Sequence, residues 1–221
     1  GDITWIEIVK YIAEKQKPYI MATGASTMED IHRAVCAGLE INPQLCLMQC
    51  NTNYTASLEN FKYIQLNVLK VYREMYPDIV LGLSDHTPGH TTVLGAVALG
   101  ARMIEKHFTD DNKRIGPDHA FSMNFTTWKE MVYQTRILES SFGDGNKKIE
   151  KNEIQSAQVQ KRGIYATKNI NIGENFKNNI TVLRPAINKH LSADKFSWLR
   201  TKKASKKIKK GECINTKKVS I

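Results

Sequence analysis

The first 150 residues alternate between short apolar runs and amphipathic stretches of helical period, and this alternation restricts the chain to a parallel α/β fold. PYIMATG (18–24), LCLMQCN (45–51), IVLGLSDH (79–86) and RMIEKHF (102–108) read as strands, each ending in polar or small residues. MEDIHRAVCAGLE (28–40), ENFKYIQLNVLKVYREMY (59–76) and GHTTVLGAVALG (89–100) read as the intervening helices, and TTWKEMVYQTRILESS (126–141) closes the series. Strand–helix repetition at this spacing predicts right-handed βαβ units. The chain before Pro18 also reads as a helix, so the first unit begins partway through. Four βα units are half of an eight-stranded barrel, which would leave two unpaired edges and an open core. Two architectures satisfy this pattern: an open doubly wound sheet, or a barrel whose first four units lie outside the sequence.

The texture changes after Phe142. GDGNKKIEKNE is polar and rich in Gly and Lys, and reads as a linker over 146–160 between a unit at 1–145 and a small β-rich domain at 161–221. In that domain short alternating runs are spaced by Gly, Asn and Pro, and KNINIGE (168–174) echoes KKIKKGE (206–212). Charge divides in the same way. Residues 1–150 hold 15 Lys and Arg against 18 Asp and Glu, a net −3, while residues 151–221 hold 17 against 4, a net +13. Such asymmetry predicts two domains with different partners.

Of the 221 residues, 41% are apolar and 24% charged, an ordinary globular balance. No apolar run is long enough to span a membrane. GDITWIEIVKYIAEK lacks the basic and apolar regions of a secretory signal. Cys46 and Cys50 share one strand face but stand too far apart to bridge. With Cys36 and Cys213 they form no Cys/His cluster, which predicts reduced thiols in a cytoplasmic protein.

In parallel α/β folds, function collects at the C-terminal strand ends. The third strand ends in Ser84-Asp85-His86 and the fourth in Glu105-Lys106-His107. Side chains alternate along a strand, so Ser84 and His86 share a face, as do Glu105 and His107. Neighbouring strands run about 4.8 Å apart, within reach for two imidazoles to share one metal. Two histidines leave coordination positions for water, a substrate oxygen or a carboxylate, as at a catalytic site. Nitrogen with oxygen ligands suits Mn, Fe, Co or Zn without selecting among them. Asp118, in the Gly116-Pro117-Asp118-His119 loop past His107, is a candidate to orient a hydroxyl or move a proton. Thr23-Gly24 and Asn51-Thr52-Asn53-Tyr54 end the first two strands with groups suited to a phosphate or polyol.

KPYIMATGAST, NTNYTASLEN, GLSDHTPG, VALGARMIEKHFT and GPDHAFSM together resemble the bacterial sialic acid synthase family in content and order. The resemblance continues into a C-terminal domain similar to the antifreeze-protein-like (SAF) fold. It implies the C-terminal half of a TIM (β/α)8 barrel followed by an SAF cap. It also implies condensation of phosphoenolpyruvate with an N-acetylated hexosamine to a nine-carbon 2-keto acid and phosphate. On this resemblance His86 and His107 would bind a divalent metal, manganese foremost, with magnesium or cobalt as alternatives. Ser84 and Thr52 would contact phosphoenolpyruvate, Tyr54 and Asp118 the sugar, with Asp118 also catalytic. Arg184 would reach from the cap into a partner subunit's active site, in a domain-swapped homodimer.

The sequence departs from the family pattern in three places. Ala22 stands where many relatives have serine, and Thr52 where some have an asparagine that contacts phosphoenolpyruvate, a role that adjacent Asn51 or Asn53 could take. The upstream βα units, with a substrate-binding glutamate and phosphate-binding lysines, are outside the sequence, so the chain alone is expected to be inactive. GPDH resembles the neuraminic and legionaminic branch more than the pseudaminic one. Two other readings compete: a metal-dependent aldolase or hydrolase on a similar barrel, and a basic binding module built on TKKASKKIKK (201–210). That run has no interleaved aromatics for base stacking, which argues against nucleic acid.

Overall fold

The fold is described from a computed structural model covering residues 1–55, 57–187 and 189–220. It divides into two compact units, Gly1–Gly145 and the residues from Asn146 onward.

In the first unit, four strands pair in parallel in the order β1 (Tyr19–Ala22), β2 (Leu45–Cys50), β3 (Val80–Asp85) and β4 (Met103–Lys106). The helices are α1 (Ile6–Ala13), α2 (Met28–Leu39), α3 (Val68–Met75), α4 (Thr91–Ala98) and α5 (Phe125–Ser141). Period-two burial explains the layering. Tyr19, Met21, Leu45, Leu47, Leu81 and Leu83 point to one face and form a single buried cluster with Val9, Ala13, Ile31, Val35, Leu69 and Tyr72 of the first three helices. Val93 and Val97 of α4 pack with Met123 and Met131 to seat α5. The opposite face carries Ile20, Val80 and Met103, all exposed, together with Ser84 and Glu105.

Local chemistry sets the helix starts. Thr27 and Asp30 form a reciprocal capping box at α2, and the Asn124 side chain accepts from the Thr126 and Thr127 amides at 3.0 Å to start α5. The single helix expected over 59–76 is instead a 3-10 turn at Leu58–Tyr63 followed by the shorter α3. Between them the Ile64 carbonyl accepts from the buried Gln49 side chain at 2.9 Å, and Gln65 turns to φ 55°. A carbonyl held by β2 is withdrawn from the helical ladder, so the helix breaks there.

The second unit has its own core, built on Ile164, Ile170, Phe176, Leu199, Ile208 and Ile214. Within 146–160, expected as a linker, the chain forms a 3-10 turn at Lys151–Glu153 and helix α6 (Ile154–Gln160). Regular β structure is sparse: β5 (Gly163–Ala166) pairs antiparallel with β6 (Ile180–Leu183), and isolated bridges supply the rest. Gly, Asn and Pro interrupt the apolar runs too often for longer strands. One further short helix, α7 (Phe196–Arg200), contributes Leu199 to this core. The echoed segments occupy equivalent turns. Ile170 and Ile208 exchange both backbone hydrogen bonds at 2.9 Å. Glu174 accepts from the Asn171 amide and Glu212 from the Lys209 amide, each at 2.9 Å, and Gly173 and Gly211 take φ of 83° and 79°.

Candidate active site

β3 and β4 are in register with Ser84 opposite Glu105 and Asp85 opposite Lys106, so the residues that follow each strand, His86 and His107, emerge side by side. Their ring centroids are 5.2 Å apart. Ser84, expected as a ligand-binding hydroxyl, donates to the Glu105 carboxylate at 2.8 Å. Glu105 therefore joins the site through a hydrogen bond that periodicity could place on the right face but could not identify.

Each imidazole presents Nδ1 to an oxygen of a neighbouring loop. In His86 that nitrogen lies 3.1 Å from the Asn51 carbonyl, an acceptor only, so Nδ1 carries the proton and Nε2 keeps a lone pair. In His107, Nδ1 lies 3.5 Å from Asp118 Oδ2. Asp118 thus sits against the second histidine, where a carboxylate steers an imidazole toward metal binding. Burial lowers the pKa of His86 below its ordinary value, the Asn51 contact opposes that shift, and the nearby His107 adds to it.

Tyr54 closes the arrangement. Its ring meets His86 edge-on with centroids 4.4 Å apart and His107 at 5.6 Å, while Phe121 lies 5.1 Å from His107. The loop holding Tyr54 is fixed by Asn53, whose Oδ1 accepts from Thr55 Oγ1 at 2.8 Å and from Asn60 Nδ2 at 3.3 Å. The loop holding Asp118 is pinned by Asn112, which donates to the His119 and Ser122 carbonyls at 2.8 Å, and by Thr109 Oγ1, 2.7 Å from His119 Nδ1. The sequence offers Asn53 only as a ligand-facing amide, and Asn112 does not stand out in it, because asparagine in a polar loop carries no distinguishing pattern.

Thr52 and Arg184 are the remaining residues of the expected site. Thr52 lines a cavity of about 560 Å³ with Thr23, Ser26, Gln49 and Gln65, and neither histidine lines it. A Cβ on Gly24 would fall 1.8 Å from Thr52 Oγ1 and 2.9 Å from Cys50 Sγ, so a larger residue there would displace both side chains. Arg184 belongs to the second unit, where it follows β6 and its Nε donates to the Gln160 carbonyl at 2.6 Å.

Among the described residues, no group of three or more His, Cys, Asp or Glu is gathered to hold a metal. The donor set that fits is His86 and His107 through Nε2, with the remaining positions open to solvent or substrate oxygen. No helix among the described residues is long and apolar enough to cross a membrane.

Comparison with known proteins agrees with this architecture. A family model described as the NeuB family matches residues 1–147. A pseudaminic acid synthase of Campylobacter jejuni is 35% identical over 209 residues, covering 93% of this chain and 59% of that protein. An N,N'-diacetyllegionaminic acid synthase of the same species is 34% identical over 218 residues, covering 97% and 64%. The chain therefore spans about six-tenths of the length of these relatives. The two identities are too similar to select one sugar. A crystal structure of a spore coat polysaccharide biosynthesis protein E from Chromobacterium violaceum superposes with a TM-score of 0.75 at 22% identity, over all of this chain and 66% of that one. That likeness gives the fold: the four parallel strands are a curled half-barrel. A family match across the whole βα unit and relatives about a third identical over more than nine-tenths of this chain lead to one conclusion: this chain belongs to the NeuB family.

Proposed function

We propose that the chain is the metal-bearing half of a synthase that joins phosphoenolpyruvate to the open-chain aldehyde of an N-acetylated hexosamine. The observation that carries this reading is the convergence of His86 and His107, with Asp118 against one ring and Tyr54 across both. In the reaction, carbon 3 of phosphoenolpyruvate bonds to the aldehyde carbon, water adds at carbon 2, and phosphate departs by carbon–oxygen cleavage. A divalent ion held by His86 and His107, manganese foremost, would polarise the aldehyde oxygen when bound.

The chain's own residues divide the remaining work. Ser84 and Glu105 form a hydrogen-bonded pair beside the histidines, where the hydroxyl can turn to phosphoenolpyruvate and the carboxylate can accept from a sugar hydroxyl. Asp118 orients His107 and is suited to hold a sugar hydroxyl or move its proton. The half-exposed ring of Tyr54 offers an apolar edge beside the sugar and limits water at the imidazoles. Thr52 is assigned to phosphoenolpyruvate from the edge of its own cavity. Arg184, on the second unit, is assigned to a partner subunit's site, with that unit acting as an SAF-like cap in a swapped homodimer. Its planar guanidinium suits a carboxylate or acyl oxygen.

The test is an assay of a polypeptide of the relatives' full length carrying this chain, given manganese, phosphoenolpyruvate and a panel of N-acetylmannosamine and diacetamido-trideoxyhexoses. Phosphate should appear in step with a new 2-keto acid for one sugar. Phosphate released with pyruvate and no nine-carbon keto acid would mean a hydrolase, and a nine-carbon keto acid formed only when pyruvate replaces phosphoenolpyruvate would mean an aldolase. The 221-residue chain alone is expected to give no turnover, since the family resemblance assigns the phosphate-binding lysines to βα units outside this sequence.

A further inference from the structure

On the face of β3 and β4 opposite the histidines lies a sealed cluster of polar groups. Lys106 Nζ donates to Asp85 Oδ2 at 2.5 Å and to the Thr87 carbonyl at 2.6 Å. Asp85 also accepts from the Thr87 amide at 3.1 Å, from Thr87 Oγ1 at 2.9 Å and from Thr92 Oγ1 at 2.6 Å. The Lys106 and Asp85 side chains are 2% and 0% exposed.

An ion pair in an apolar layer needs a reason other than stability, because desolvation offsets most of its attraction and a well-packed apolar pair often serves as well. The reason here is geometric. Asp85 and Lys106 are register partners, and each immediately precedes one histidine. The two groups that Lys106 grips, the Asp85 carboxylate and the Thr87 carbonyl, flank His86 on either side. A slip of β4 by one residue would turn His107 toward the helices and Lys106 toward the open face. Apolar neighbours would tolerate that slip, whereas the ammonium finds the carboxylate and carbonyl together in one register only. Thr92, in the first turn of α4, ties the cluster to the helix linking the two strands.

We propose that Asp85 and Lys106, with Thr87 and Thr92, form a clasp of positioning residues that sets the β3–β4 register and so presents His86 and His107 as a metal-binding pair. The inference rests on the metal reading of those histidines but makes a separate structural claim. The experiment compares the parent chain with an Asp85→Leu/Lys106→Met double variant, which replaces the pair by apolar groups of similar reach. Two readouts are taken: Mn²⁺ affinity by titration calorimetry, and the nuclear Overhauser contact between His86 and His107 ring protons in metal-free, histidine-labelled protein.

The expected result is a folded double variant that loses the ring contact and binds Mn²⁺ at least about tenfold more weakly. A folded variant that keeps both the contact and the affinity overturns the clasp. If the parent shows the contact but does not bind Mn²⁺, the metal reading fails and the clasp is judged on the contact alone. If the double variant does not fold, Thr92→Val removes one hydroxyl and no charge. It should weaken the contact and lower affinity about threefold, the lower range for one hydrogen bond. No change in that variant also overturns the clasp.

Discussion

His86 and His107 meet with ring centroids 5.2 Å apart although α4 lies between them in the chain, and each presents Nδ1 to a different oxygen, the Asn51 carbonyl at 3.1 Å and the Asp118 carboxylate at 3.5 Å. Removing either ring should abolish the shared donor set. His86→Ala and His107→Ala are each expected to lower Mn²⁺ affinity by more than about 100-fold, and Asp118→Asn by about tenfold. Titration calorimetry on the three variants measures this. Equal losses for all three would place Asp118 among the ligands instead of behind one.

The burial of His86 makes stability depend on pH in a definite direction. Its folded pKa is held below 6.5, so below that pH the unfolded chain binds more protons than the folded one. Its contribution is complete above 6.5 and is lost as pH falls toward the folded pKa. The urea midpoint of the metal-free chain should drop as pH falls below about 6.5, and His86→Gln should flatten that part of the profile. A wild-type midpoint that rises on acidification would contradict the assignment.

The cysteines, all four free, should differ in reactivity. Burial pushes the Cys46 thiol up to about 11, whereas Cys36 is exposed on α2 beside His32. Iodoacetamide at neutral pH should label Cys36 rapidly and leave Cys46 and the buried Cys213 protected until the chain is denatured. Peptide mapping of the labelled protein decides it.

Separate cores predict separate unfolding. Phe176 is fully buried in the second unit and Leu47 in the first. Phe176→Ala should destabilise the second unit by about 3–5 kcal/mol, and Leu47→Ala the first by about 2–5 kcal/mol, each leaving the other unit's transition in place. Hydrogen exchange resolved by segment would show this, and a common loss of protection in both units would refute it.

Much of the first unit was legible in the sequence because strands and helices have different periods. The four apolar runs became β1 to β4, and the alternation that grouped Ser84 with His86 and Glu105 with His107 is a property of any extended chain. The helix over 59–76 misled because its apolar spacing continues through Ile64 and Leu66. The break comes from Gln49, distant in sequence, which takes the Ile64 carbonyl. In the second unit the echoed turns were visible as a repeat, but not that bridges would replace long strands.

By itself the sequence determined the βα order, the strand faces, the two histidines at equivalent strand ends and, through its motifs, the family. Local geometry and motif order suffice for these, since each depends on residues close together in the chain. Only the tertiary structure decided that Asp118 stands against His107, that Tyr54 lies across both rings, that Ser84 is bonded to Glu105, and that Lys106 closes on Asp85 and Thr87 behind the histidines. Those pairings join groups from different strands and loops. They form only when packing against the helices has fixed the strand register and carried the loops to the same end of the sheet.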